Sequence, residues 1–187
     1  MATHRKCFLT LVVGSNGTGK TTFLENNIIK GKSLIVTPDE IEYPNVRLIK
    51  NDSNLSKNIY EMSNTDIAKV IYEENLEKIL RNFSNGTLVL DDCKTYLTSQ
   101  TPATMRELYI RRRQRMVDVY FVAHSLRQIP PSAFDFANKL VYFKTMENLK
   151  NRKDLIDPFI FQRIEKTKAE LDKSPDPHIY KILVLLK

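Results

Sequence analysis

Short apolar runs alternate along this chain with stretches in which apolar residues recur every three or four positions. The runs cover residues 8–13, 33–37, 87–90, 117–123, 139–143 and 179–186. Continuous apolar runs bounded by turn residues signal strands buried on both faces. Helical spacing follows the first run at 23–29, and Ser63, Asn64 or Thr65 is placed to cap a helix whose apolar positions are Ile67, Val70, Ile71, Leu76, Ile79, Leu80 and Phe83. Asn85-Gly86 stops that helix, Thr101-Pro102 opens another through about residue 116, and a short one falls at 132–138. A basic helical region at 148–172 precedes a break at Pro175 and Pro177, while residues 38–64 are polar, lack a period and read as loop. Strands alternating with helices predict an α/β fold with a mainly parallel sheet covered by helices. No repeat or low-complexity tract interrupts the pattern, so residues 1–187 read as one domain.

The most specific stretch lies between the first apolar run and the first helix. Gly14-Ser15-Asn16-Gly17-Thr18-Gly19-Lys20-Thr21-Thr22 fits the G-x-x-x-x-G-K-[ST] pattern in its required strand-to-helix context. Successive backbone N–H groups and a helix N-terminus surround a polyphosphate, Lys20 neutralises its β and γ groups, and the Thr21 hydroxyl ligates Mg²⁺. A glycine turn alone requires neither the lysine nor the strand. The chain is therefore read as binding a nucleoside triphosphate, with ATP and Mg²⁺ as the expected ligands.

Composition bounds the alternatives. At 187 residues a single domain buries roughly 70% of its unfolded surface and needs no disulfide or structural metal. Cys7 and Cys93 are the two cysteines; each stands beside a motif strand and neither forms a C-x-x-C pair, so both read as reduced, buried residues. The basic start Met1–Lys6 leads into a strand rather than a signal peptide, and no stretch approaches the ~20 apolar residues of a membrane span. The expectation is a soluble chain in the cytoplasm of a cell, or of a host. A net charge of +7 favours a polyanionic partner.

Two further motifs follow in order. Leu88-Val89-Leu90-Asp91-Asp92 ends a buried strand with two carboxylates. Asp91 is placed to hold Mg²⁺, directly or through water, and Asp92 to orient and deprotonate the attacking water. The run Asp118–Ala123 ends at His124, where a polar side chain beside a γ-phosphate acts as a sensor. Upstream, Arg111-Arg112-Arg113-Gln114-Arg115 offers four arginines and no lysine, which suits planar phosphate recognition. Catalysis or assembly, a DNA-facing surface, and an ordinary solvated face remain open for it.

Taken together, the phosphate loop, LVLDDCKTYL, the arginine-rich helix end, VDVYFVAHS and IPPSAFDFANKLVYFKT resemble the ATPase core of the FtsK/HerA superfamily over about residues 8–145. The superfamily includes DNA translocases, viral genome-packaging ATPases and zonula occludens toxin-like phage assembly proteins. The resemblance implies a phosphate-loop nucleotidase core with strand order 5-1-4-3-2, a homo-oligomeric ring, and ATP-driven movement of double-stranded DNA. It places Asp91 and Asp92 on the family's acidic pair, His124 on its polar sensor and Arg113 on an arginine that precedes the sensor strand. Aspartate in place of glutamate and histidine in place of glutamine are departures from the bacterial translocases. A chain of this size without added domains looks like a minimal packaging ATPase of a small virus or phage. That implies a capsid or portal vertex protein as partner and a host-cytoplasmic or virion-associated location. The alternatives are a filament-assembly ATPase and a small nucleoside or nucleotide kinase. Residues 146–187 match nothing in the family and read as a helix-and-strand extension.

Overall fold

The computed structural model describes residues 7–73, 76–95, 103–153 and 156–185. One eight-stranded sheet runs through it in the order β3-β4-β2-β5-β6-β1-β7-β8. The strands are β1 (Leu9–Val13), β2 (Ser33–Thr37), β3 (Arg47–Leu48), β4 (Ile67–Ile71), β5 (Gly86–Leu90), β6 (Val117–Ala123), β7 (Lys139–Phe143) and β8 (Tyr180–Val184). The helices among the described residues are α1 (Lys20–Asn27), α2 (Leu55–Tyr60), α3 (Leu76–Asn82), α4 (Ala103–Arg111), α5 (Pro131–Phe136) and α6 (Pro158–Asp172). All strand pairs are parallel except β7 with β8.

The expected order 5-1-4-3-2 is present as β7-β1-β6-β5-β2, with β8 added at one edge and β4 and β3 at the other. β1, the strand that feeds the phosphate loop, thus lies between β6 and β7. Successive side chains of a strand point to opposite faces, and the core divides accordingly. Leu9, Leu11 and Val13 of β1 join Leu34, Leu88, Val119 and Leu140 in the larger cluster, under α2 to α6. Val12, Ile35, Val89, Val122 and Val141 join Phe23 and Leu24 of α1 on the other face.

Three regions depart from the sequence reading. Where one helix is expected, Ile67–Ile71 form a strand and Leu76–Asn82 a helix. Ile67, Val70 and Ile71 sit at three-and-four spacing only because a strand buried on both faces need not alternate. Their β-branching favours the pleated surface that β2 offers on one side and β3 on the other. Residues 38–64 hold β3 and α2 rather than loop alone. In the C-terminal region, α6 starts only at Pro158, capped by Asp157, whose carboxylate accepts from Phe159 N and Ile160 N at 3.0 and 3.2 Å. Its apolar face, with Ile160, Ile164 and Leu171, belongs to the same cluster as β1. The expected helix start at Thr101-Pro102, the basic segment 1–6 and the strand end at Leu186 lie outside the described residues. Cys7 and Cys93 are both buried, as expected.

Candidate phosphate-binding site

The loop between β1 and α1 is built by close approach and by left-handed backbone. A Cβ on Gly14 would stand 2.4 Å from Phe143 Cβ and 2.7 Å from Thr18 Oγ1. Gly19, the N-cap of α1, has φ +88°, a region open to glycine at no steric cost. The loop is tied to neighbouring strands as Gly14 N donates to Ala123 O (3.1 Å) and Ser15 N to Lys144 O (2.9 Å). Lys20 is buried, and its Nζ donates to Gly14 O (2.7 Å) and Ser15 O (3.0 Å). A cation is therefore held at the mouth of a helix N-terminus, the arrangement that receives an anion.

Parallel strands deliver their carboxyl ends to the same side, so the ends of β2, β5 and β6 open beside this loop. A cavity of ≈ 490 Å³ is lined there by residues that include Lys20, Thr21, Asp91, Asp92 and His124. Lys20, Thr21, Asp91, Asp92 and His124 thus meet in one place, together with Asn16, Gly17, Gly19 and Thr22 of the loop, whereas Gly14, Ser15 and Thr18 do not line the cavity. Asp91 Oδ2 accepts from Tyr43 Oη and its Oδ1 from Asp92 N, each at 2.9 Å. Burial pushes the Asp91 carboxyl above its usual range, opposed by the Tyr43 and Asp92 hydrogen bonds and the Lys20 ammonium. Asp92 has left-handed backbone at φ 44°, and its buried Oδ1 has no hydrogen-bond partner. His124 Nδ1 lies 3.4 Å from Lys20 Nζ, and its Nε2 lies 3.9 Å from Asp92 Oδ1. Burial first and the Lys20 charge second hold this imidazole below its ordinary value, so its neutral form, one N–H donor, is favoured.

The residues present fit a magnesium nucleotide. Asp91, Asp92, Asp39 and Glu42 face the single ammonium of Lys20 in this cavity, an excess of negative charge that a divalent ion relieves. Among the described residues no group of three or more His, Cys, Asp or Glu forms a complete metal cage. Mg²⁺ keeps waters and substrate phosphate oxygens as ligands and takes only one or two from protein.

Five participants escaped the sequence reading. Asp39 and Glu42 enter from the loop after β2. Burial, and then the charge of Asp91, raises the Glu42 carboxyl. Tyr43 is buried with φ 56° and holds Asp91. Lys69, buried in β4, donates to Glu40 O and Glu42 O, both at 2.7 Å, and pins that loop. One signal was available: Lys69 is a single charge inside Ile67-Ala68-Lys69-Val70-Ile71, which an isolated strand would not bury without a partner. His178, the fifth, comes from the C-terminal segment and also borders the cavity.

The arginine run separates into different roles. Arg112 is buried, with its guanidinium donating to Tyr109 O, to Phe136 O at 3.3 Å and to Asn138 Oδ1 at 3.4 Å. Arg115 donates to Leu80 O and lies 3.7 Å from Glu107, while Arg111 pairs with Glu107 at 3.0 Å. Arg113 is exposed and has no partner among the described residues. It precedes β6, whereas His124 follows it, so the length of a seven-residue strand, about 23 Å, separates Arg113 from its own site.

Fold and site together define a phosphate-loop nucleotidase architecture. No family model matches the sequence, and no curated protein matches it. Solved structures do. The genome packaging NTPase B204 from Sulfolobus turreted icosahedral virus 2, in complex with ATP-gammaS, aligns with a TM-score of 0.75 at 14% identity, covering 96% of this chain and 92% of that one. Its AMPPCP complex gives 0.73 at 14%, covering 94% and 96%. B204, the DNA-packaging ATPase from Sulfolobus turreted icosahedral virus, gives 0.61 at 13%, with the same coverage. With 94–96% of this chain covered, the likeness reaches well beyond residue 145 into the C-terminal segment. Among the described residues no helix is long and apolar enough to cross a membrane.

Proposed function

We propose that this chain hydrolyses ATP to move double-stranded DNA, as the genome-packaging ATPase of a small virus or phage acting in a homo-oligomeric ring at a capsid vertex. The observation that carries the reading is the single cavity joining Lys20, Thr21, Asp91, Asp92 and His124 on a fold shared along nearly its whole length with viral packaging NTPases. The backbone of residues 14–19 and the α1 N-terminus receive the phosphates, and Lys20 offsets charge on the β and γ groups. Thr21 and Asp91 hold Mg²⁺, which when bound neutralises charge developing on the transferred phosphoryl group. Asp92, whose Oδ1 is unpartnered, takes the proton of the attacking water. Neutral His124 donates its N–H toward the γ-phosphate. Arg113 cannot serve its own subunit at about 23 Å, so it reaches the site of the next copy, where its planar fork stabilises transition-state charge. The net charge of +7 matches a polyanionic track.

The test is steady-state hydrolysis with double-stranded DNA, single-stranded DNA or a nucleoside as additive. Stimulation by duplex DNA that fades steeply with salt supports the reading, because phosphate contacts release counterions. A rate indifferent to DNA, with phosphate transferred to a nucleoside, makes the chain a kinase instead.

A further inference from the structure

A second cavity of ≈ 300 Å³ adjoins the phosphate site, and Gly19, Thr22 and His178 line both. Its volume is at the lower end for small-molecule sites. Its apolar wall is a cluster of three rings: Phe23 to Phe143 at 5.9 Å, Phe23 to Tyr180 at 5.0 Å and Phe143 to Tyr180 at 5.0 Å between centroids. Phe23 and Phe143 are buried at 8% and 1% exposure, whereas Tyr180 is 39% exposed, so only Tyr180 has substantial ring surface left to cover. His178, also exposed, stands over the loop with its Nδ1 3.3 Å from where a Gly19 Cβ would be. On the helix side, Thr22 and Asn26 are four residues apart and therefore share a face of α1, one turn apart. Asn27 differs: its Nδ2 is committed to Phe23 O at 2.9 Å.

We infer that this cavity is the nucleobase site, that the segment from Pro175 to Tyr180 is its recognition element, and that the base it takes is adenine. The inference rests on the phosphate-loop reading above and extends it to the rest of the nucleotide. With the phosphates at Gly19, the base lies one helical turn along α1, beside Thr22 and Asn26 and against the rings of Tyr180 and His178. Stacking on these rings holds any purine. Discrimination comes from Asn26, whose amide offers one donor and one acceptor group, matching the N7 acceptor and N6 donor of adenine. Guanine presents two acceptors, N7 and O6, at the same edge and calls for Arg or Lys. The C-terminal segment, which matched no motif, thus acts in choosing the nucleotide.

The experiment measures binding of ATP, GTP and tripolyphosphate to wild type, Tyr180→Ala, Tyr180→Phe and Asn26→Ala. Wild type should bind ATP more tightly than GTP or tripolyphosphate. Tyr180→Ala should weaken ATP roughly tenfold or more, the scale of one lost base–aromatic stack, leave tripolyphosphate unchanged, and be rescued by phenylalanine. Asn26→Ala, on an exposed helix face, should reduce the preference for ATP over GTP by roughly tenfold. The inference is overturned if Tyr180→Ala weakens ATP and tripolyphosphate alike, since the segment then only props the loop. It is also overturned if both variants bind ATP as wild type does, or if wild type binds tripolyphosphate as tightly as ATP. If wild type binds neither ATP nor tripolyphosphate, the phosphate-loop reading itself falls, and this inference with it.

Discussion

Lys69→Met is the sharpest test of how the site is held, because the residue lies outside the phosphate cavity and reaches it only through other groups. Its ammonium makes two 2.7 Å bonds, to the carbonyls of Glu40 and Glu42, and the loop so pinned delivers Glu42 to the cavity and Tyr43 to Asp91. Hydrogen bonds to a charged group contribute about 1.5–3 kcal/mol each, which bounds the pair at about 3–6 kcal/mol. Two effects reduce that figure. Methionine also removes the burial cost of the ammonium, and the freed carbonyls belong to residues exposed to water. A net loss of about 1–3 kcal/mol remains, or a Tm lower by roughly 2–12 °C for a chain of this length. The kinetic effect should be larger in proportion, since displacing a positioned group by about 1 Å can cost 100-fold. ATP hydrolysis titrated with Mg²⁺ should show kcat/KM down by about 10- to 100-fold and a higher Mg²⁺ requirement. Tyr43→Phe, which removes the next link, should share the Mg²⁺ phenotype at smaller size. A folded Lys69→Met protein with the wild-type rate and Mg²⁺ dependence would refute the reasoning, even if its Tm had dropped.

Lys20→Ala should abolish hydrolysis and sharply weaken triphosphate binding, measured by turnover and by nucleotide titration; unchanged turnover removes the basis of the assignment. Asp91→Asn should lose Mg²⁺-dependent activity, whereas Asp92→Asn should keep nucleotide binding and lose the chemical step, a split visible in single-turnover kinetics. His124 carries the pH dependence. Its value is lowered below 6.5 in the fold, so the unfolded chain binds more protons in between, and its contribution to stability is present above 6.5 and lost as pH falls through the lowered value. The acid limb of kcat/KM should therefore lie below 6.5 and disappear in His124→Gln; a Gln profile identical to wild type assigns that limb elsewhere. Arg113→Ala should bind ATP, form rings and hydrolyse poorly, with loss of roughly 10³–10⁵ for a finger acting in trans. Mixing it with Lys20→Ala subunits should restore part of the activity, and mixed rings that stay inactive exclude that role.

The fold class and most of the site's polar groups were legible along the chain because each is a local pattern. A phosphate loop needs its glycines, lysine and hydroxyl within nine consecutive residues, and Asp91 with Asp92, and His124, each end an apolar run. Strand order then places those run ends beside the loop, and the family resemblance supplied it for the five central strands. What the chain order could not disclose is what depends on contact between distant segments. Arg112 and Arg113 are neighbours of one type, yet one is buried against β7's approach at Asn138 and the other faces solvent; packing alone separates them. Ile67, Val70 and Ile71 suit a helix or a doubly buried strand equally well until β2 and β3 supply edges to pair with. Lys69 is tolerable inside that strand only because two carbonyls about 29 and 27 residues earlier come within its reach. Sequence by itself determined which phosphate-binding groups the loop carries, since backbone amides and one lysine lie within a few ångströms of contiguous chain. Tertiary structure decided which carboxylates, tyrosine and histidine surround it, because burial and long-range hydrogen bonding are properties of the assembled sheet.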